Sequence, residues 1–69
     1  MYKCTKIFKG YYQLADQKGR IWFIEHVTTN DGFTYDEWHV GTEDDPHADQ
    51  YNTKRECVEA IIGFNEDGY

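Results

Sequence analysis

Three runs in the first two-thirds of the chain alternate apolar and polar positions at the period of a strand. They are Gly10–Ala15 (GYYQLA), Arg20–Thr28 (RIWFIEHVT) and Phe33–Val40 (FTYDEWHV), all dense in branched and aromatic residues. Asp16-Gln17-Lys18-Gly19 and Thr29-Asn30-Asp31-Gly32 separate them, and each ends on the glycine that a type I turn followed by a left-handed residue requires. The pattern predicts an antiparallel three-stranded meander. Three-residue turns would set Asp16 opposite Arg20 and Thr29 opposite Phe33. Leu14 then faces Trp22, Tyr12 faces Ile24, Trp22 faces Val40 and Ile24 faces Trp38. All six side chains fall on one face, which a one-residue slip would scatter. This face is the expected core.

The opposite face carries Tyr11, Gln13, Ala15, Ile21, Phe23, Glu25, Val27, Tyr35, Glu37 and His39. One helix cannot cover both faces, so this one is expected to be wet or an interface. After Val40 the segment GTEDDPHADQYN shows no period and predicts an acidic loop over 42–52. Thr53-Lys54-Arg55-Glu56 matches a capping box. The predicted helix, 53–63, turns Cys57, Val58, Ile61 and Ile62 inward and closes at a left-handed Gly63, with Phe64 folded back on Val58 and a short tail over 64–69. Near the start, Tyr2, Cys4 and Phe8 either extend the first strand through a bulge at Gly10 or form an edge strand of their own. The expectation is therefore an α+β single domain, 1–69. A meander over about 6–41, with an optional N-terminal strand, packs against one C-terminal helix.

Composition sharpens this in two ways. Two Trp, four Phe and six Tyr in 69 residues supply more ring surface than so small a core needs, which leaves rings for an interface. Charge is segregated along the chain. Residues 1–20 carry a balance of +4, residues 21–53 have no Lys or Arg and a balance of −8, and the remainder brings the total to −6. Such a chain repels phosphate over most of its surface. Two cysteines, Cys4 and Cys57, are too few for a disulfide framework. No apolar run reaches signal-peptide or membrane-span length, so the expected setting is the cytoplasm with both thiols reduced and no membrane partner.

Candidate chemistry is sparse. In this register His26 faces Asp36 and His39 faces Phe23, so the two histidines point to opposite faces and cannot share a metal. Glu43-Asp44-Asp45-Pro46-His47-Ala48-Asp49 offers oxygen ligands, yet lacks the alternating acids, central glycine and terminal Glu of a calcium loop. His26 with Asp36 reads as a polar pair at the core rim rather than a general base, since no nucleophile lies near. With no phosphate loop, CxxC or nucleophile elbow, neither an enzyme nor a cofactor is expected.

Two binding readings compete. Nucleic acid would use Lys3, Lys6, Lys9, Lys18 and Arg20 beside a ring platform, but Glu25, Glu37 and the acidic loop oppose it. The favoured reading is a protein-interaction module. Tyr11, Phe23, Glu25, Tyr35, Glu37 and His39 on the sheet face, with Glu43, Asp44, Asp45 and Asp49 in the loop, would hold a partner with a basic surface, such as a nucleic-acid-binding enzyme. In size and charge alone the chain resembles the host-takeover and anti-defence proteins of bacteriophages. That likeness implies an inhibitor acting in the cytoplasm of a host cell. Homodimerisation through the ring-bearing face is the structural rival to a heterologous partner, with a monomer otherwise.

Overall fold

The computed structural model describes residues 2–30 and 33–68, with the side chains of 29, 30 and 33–35 left out; the Asp31-Gly32 turn thus lies outside the described residues. The alternating runs form strands, and two flanking segments join them. In chain order the elements are β1 (Lys3–Phe8), β2 (Tyr11–Ala15), β3 (Ile21–Asn30), β4 (Phe33–Gly41), β5 (Asp49–Tyr51) and α1 (Lys54–Glu66). The strands make one antiparallel sheet in the order β1-β2-β3-β4-β5, with α1 packed on one face against β3, β4 and β5. The fold is α+β as expected, but among the described residues the sheet has five strands rather than three, or four with the optional N-terminal strand.

The two additions have different causes. The N-terminal segment forms its own edge strand, because Lys9-Gly10 turns the chain back with Gly10 at φ +81. A bulge between Lys6 and Phe8 then puts Phe8 opposite Tyr11. The expected acidic loop over 42–52 is cut short, since Asp49, Gln50 and Tyr51 pair with Val40, His39 and Trp38. Three residues are too few to show a period.

Pairing of β2 with β3 matches expectation: Tyr12 faces Ile24 and Leu14 faces Trp22. The β3–β4 pairing does not. Ile24 faces Val40 and His26 faces Trp38, whereas near the turn Thr29 faces Thr34 and Asn30 faces Phe33. A register shift between Val27 and Thr29 completes a total slip of two residues relative to the expected pairing. A slip of two preserves side-chain alternation, so the expected core face survives. Leu14, Ile24 and Val40 are buried together with Cys57 and Ile61 of α1, while Trp22 keeps 8 % of its surface exposed. Tyr12, Trp38, Tyr51, Val58 and Phe64 pack around them.

The helix begins where the capping box places it: the Glu56 amide donates to Thr53 Oγ1 at 3.1 Å. The Thr53 hydroxyl in turn donates to Glu56 Oε1 at 3.2 Å. Its end is later than expected. Gly63 does not close it; the helix runs on to Glu66 and is capped at Asp67, whose amide donates to Gly63 O at 2.9 Å. Phe64 does not fold back on Val58. Its ring stacks on Trp22 at 5.7 Å, and one residue later Asn65 reaches Asp16 in the turn between β2 and β3. Those contacts outweigh the roughly 1 kcal/mol that a mid-helix glycine costs.

Asn65 meets Asp16, a fully buried carboxylate that joins three parts of the molecule. Oδ1 accepts from the Lys18 and Arg20 amides at 2.8 and 2.9 Å. Oδ2 accepts from Arg20 Nε and Trp22 Nε1, both at 2.8 Å, and from Asn65 Nδ2 at 3.2 Å. Burial alone would push the Asp16 carboxyl up. The hydrogen bonds from Trp22, Arg20 and Asn65 outweigh it and hold the group well below the usual carboxylate range. At Cys57, burial and the neighbouring Glu56 charge push the thiol up to about 11. Cys4 and Cys57 are both free thiols, the first exposed and the second buried.

Candidate functional site

The face turned away from α1 is built in rows, because each strand presents alternate residues outward. One row crosses all five strands: Phe8 on β1, Tyr11 on β2, Glu25 on β3, His39 on β4 and Gln50 on β5. The neighbouring rows set Gln13, Phe23 and Gly41 in line, and pair Val27 with Glu37. Of the expected face residues, Tyr11, Phe23, Glu25, Glu37 and His39 are thus gathered on one surface. The Tyr35 side chain lies outside the described residues.

Along this surface the rings form a line. Phe8 lies 4.9 Å from Tyr11, and Tyr11 meets Phe23 edge-on at 6.1 Å. Phe8 is 60 % exposed and Ile7 beside it 47 %, so the line ends in an apolar patch on the edge strand. Sequence periodicity could not assign Phe8 to this face, since the bulge before it reverses the alternation.

The face is not wholly open. Gly41 is buried because the loop after β4 crosses directly over it: a Cβ there would overlap the Asp45 carbonyl oxygen and lie 2.5 Å from the Pro46 carbonyl carbon. Reciprocal backbone bonds between Thr42 and Asp45, both 3.1 Å, fix the loop's first turn. The expectation that nothing within the chain covers this face is therefore corrected for its β4 end. Between loop and sheet runs an open groove of about 350 Å³, lined by Arg20, Ile21, Phe23, Thr42, Glu43 and Asp44. Its floor is apolar and one wall is acidic. The Arg20 guanidinium is held by buried Asp16 at 2.8 Å.

Loop acids Glu43 and Asp44 are exposed at this wall, and Asp45 is exposed next to them in the loop. Asp49 does not sit with them. Paired with Val40 in β5, it faces the helix side and lines a separate opening with Trp22 and Phe64. There it joins burial in raising the Tyr51 phenol, burial being the larger cause.

The three histidines divide between the faces. His26 stacks on Trp38 on the helix side, with rings 4.3 Å apart and nearly parallel, and its Nε2 meets Asp36 Oδ1 at 2.8 Å. The expected His26–Asp36 pair is present but diagonal, because Trp38 occupies the position directly opposite. His39 is on the outer face, where His47 reaches it from the loop: Nδ1 of each ring lies 3.0 Å from the other. Nε2 of His39 is 3.6 Å from Glu37 Oε1, and Nε2 of His47 is 3.9 Å from Glu25 Oε1. The sequence had placed His47 only among the loop acids.

Among the described residues no three His, Cys, Asp or Glu side chains gather as a metal-binding group. No helix among them is long and apolar enough to cross a membrane. Comparison with protein-family models, curated proteins and solved structures gives no match to this chain.

Proposed function

We propose that this chain is a small acidic protein-interaction module that holds a basic segment of a partner protein on its outer sheet face. The groove beside Phe23 carries the proposal. Its apolar floor of Ile21 and Phe23 suits the methylene stem of an Arg or Lys, and its Glu43 and Asp44 wall suits the cationic head. Phe23 also belongs to the ring line, so a segment seated in the groove continues onto Tyr11 and Phe8. Aromatic anchors beside a charged rim are the arrangement that gives interfaces both affinity and partner choice. A partner rich in such cations is a nucleic-acid-binding enzyme, and occupation of its channel by this domain would make it a competitive inhibitor in the cytoplasm, as phage-encoded inhibitors of this size and charge are.

One observation favours a second reading. Phe8 shares the β1 edge strand with Lys3, and both lie on the face that carries Tyr11, whereas Lys6 pairs with Tyr12 toward the other face; a ring beside a lysine suits single-stranded nucleic acid. Fluorescence anisotropy with a labelled Arg/Lys-rich peptide and a labelled oligonucleotide separates the two. We expect the peptide to bind, to weaken about tenfold in Phe23→Ala and in the Glu43→Gln/Asp44→Asn double variant, and to weaken further as salt rises. Oligonucleotide binding that is lost in Lys3→Ala/Lys6→Ala and untouched by the acidic substitutions would replace the proposal with the second reading.

A further inference from the structure

The most specific polar geometry on the outer face is the pair of histidines that pins the acidic loop to the sheet. His39 is held in the middle of its row, between Glu25 on β3 and Gln50 on β5, and only 13 % of its side chain is exposed. His47 is half exposed and arrives from the loop at 84° to the first ring. The two Nδ1 atoms lie 3.0 Å apart, and the Nε2 atoms of His39 and His47 lie 3.6 and 3.9 Å from carboxylate oxygens of Glu37 and Glu25.

Counting protons shows what this arrangement lacks. Two neutral imidazoles carry two N–H groups in all. One of them must bridge the Nδ1 atoms, which leaves a single N–H for two carboxylates. One Nε2 lone pair then points at a carboxylate oxygen. The shortfall falls at His39, whose Nε2 is buried and has no hydrogen-bond partner among the described residues. A divalent cation between the Nδ1 atoms removes the conflict. Both Nδ1 lone pairs bind the metal, both protons move to Nε2, and each Nε2–H is aimed at Glu37 or Glu25. Metal-binding histidines are ordinarily supported by such outer carboxylates, which fix the tautomer and raise the basicity of the ligand nitrogen.

The spacing also selects among metals. Two metal–nitrogen bonds of about 2.05 Å across 3.0 Å subtend an angle of about 94°. That is the angle between adjacent positions of a tetragonal or octahedral ion, and is narrower than the tetrahedral angle of structural zinc. We propose that His39 and His47 form a two-nitrogen site for a divalent copper- or nickel-type ion, with Glu37 and Glu25 as outer partners and solvent completing the coordination. Occupation of the site would lock the loop, and with it the acidic wall of the groove, onto the sheet. The site stands on its own geometry and does not depend on the groove's occupant.

Titration calorimetry with copper(II) and with nickel(II), without any partner, tests this directly. We expect one ion per chain and a rise in melting temperature on addition. His39→Ala and His47→Ala should each weaken binding at least about tenfold, and Glu37→Gln by about tenfold. His26→Ala, on the far face, should bind as the parent does, and nitrogen couplings in the copper resonance spectrum should vanish with His47→Ala. Because His47 is half exposed on a loop, its alanine variant remains informative even if His39→Ala unfolds. Parent-like binding in His47→Ala, or an equal loss in His26→Ala, overturns the proposal.

Discussion

Replacing Asp16 by Asn tests the central polar contact of the fold, because the change preserves shape and removes one acceptor oxygen. Oδ1 serves two donors and Oδ2 serves three. Whichever way the amide turns, its NH₂ meets at least two N–H groups that had pointed at an oxygen. A buried donor left unpaired costs about 1–3 kcal/mol, and removal of one partner from a buried charge network about 3–5 kcal/mol. Asp16→Asn is therefore expected to lose about 3–5 kcal/mol. At roughly 0.05–0.15 kcal/mol per residue, a domain of this length has only about 3–10 kcal/mol in hand, so the variant should be largely or partly unfolded. Urea unfolding followed by tryptophan fluorescence measures the loss, with Trp22 reporting from beside the site.

The same carboxylate makes a pH prediction with a definite sign. Its folded-state pKa lies below the unfolded value, so the unfolded chain binds the proton more readily. The stabilisation is fully present above the ordinary Asp range near 4 and is lost as pH falls through the folded value, at no more than about 1.4 kcal/mol per pH unit. The stability gap between parent and Asp16→Asn should accordingly be widest at neutral pH and narrow on acidification below about 4. Asn65→Ala, which removes one of the five donors, should cost a smaller amount, about 1–2 kcal/mol. Asp16→Asn within about 1 kcal/mol of the parent at pH 7, or a gap that does not change with acid, would refute the reasoning.

Two further substitutions test the packing. Trp22→Ala should cost about 3–5 kcal/mol, since the ring is buried beneath Phe64 and bonded to Asp16, whereas the partly exposed Trp38, backed by His26, should cost less; a larger loss at Trp38 in the same urea assay would contradict the observed register. Gly41→Ala should displace the 42–48 loop, lose about 1–3 kcal/mol and break the His39–His47 contact seen by imidazole NMR, because its Cβ would fall on the Asp45 carbonyl; unchanged stability with the contact intact would mean the loop does not dock there.

What the sequence conveys and what it withholds follows from parity. Alternation assigns Leu14, Trp22, Ile24, Trp38 and Val40 to one face, and it does so equally well for two registers that differ by two residues. It could not distinguish Trp22 opposite Val40 from the observed Ile24 opposite Val40. The slip matters for chemistry: it places His26 against Trp38 and brings His39 into line with Glu25. The capping box at Thr53 was legible because it is local, whereas the helix end was not, because Phe64 and Asn65 are held by distant partners. Asp16 was recognised as a turn former only. Nothing in the local sequence shows that an asparagine 49 residues later would complete its shell. The candidate site was legible in Tyr11, Phe23, Glu25, Glu37 and His39, and incomplete without Phe8 and His47, which a bulge and a loop deliver.

Strand order in space equal to strand order in sequence turns the charge gradient of the chain into a gradient across the sheet. Lys3 and Lys6 lie on one edge strand, and Asp49 on the other. Four inter-strand spacings of about 4.8 Å separate those edges by roughly 19 Å, more than twice the screening length of about 8 Å at physiological salt. The two ends therefore act on a partner independently, and the net charge of −6 is a poor guide to what either end attracts. Lysines on the fully exposed β1 edge oppose pairing with a second β1, and the β5 edge is only three residues long, so neither edge invites extension of the sheet by a like copy. What remains open is the outer face between them. A cationic group seated on Phe23 would lie in contact with the wall of Glu43 and Asp44, while Lys3 and Lys6 on β1 are two strand spacings away, about 10 Å, little more than one screening length. Electrostatics thus directs a basic partner to the loop end of the face and leaves the rings near β1 to apolar contact, which divides one surface into a charged anchor and an uncharged one.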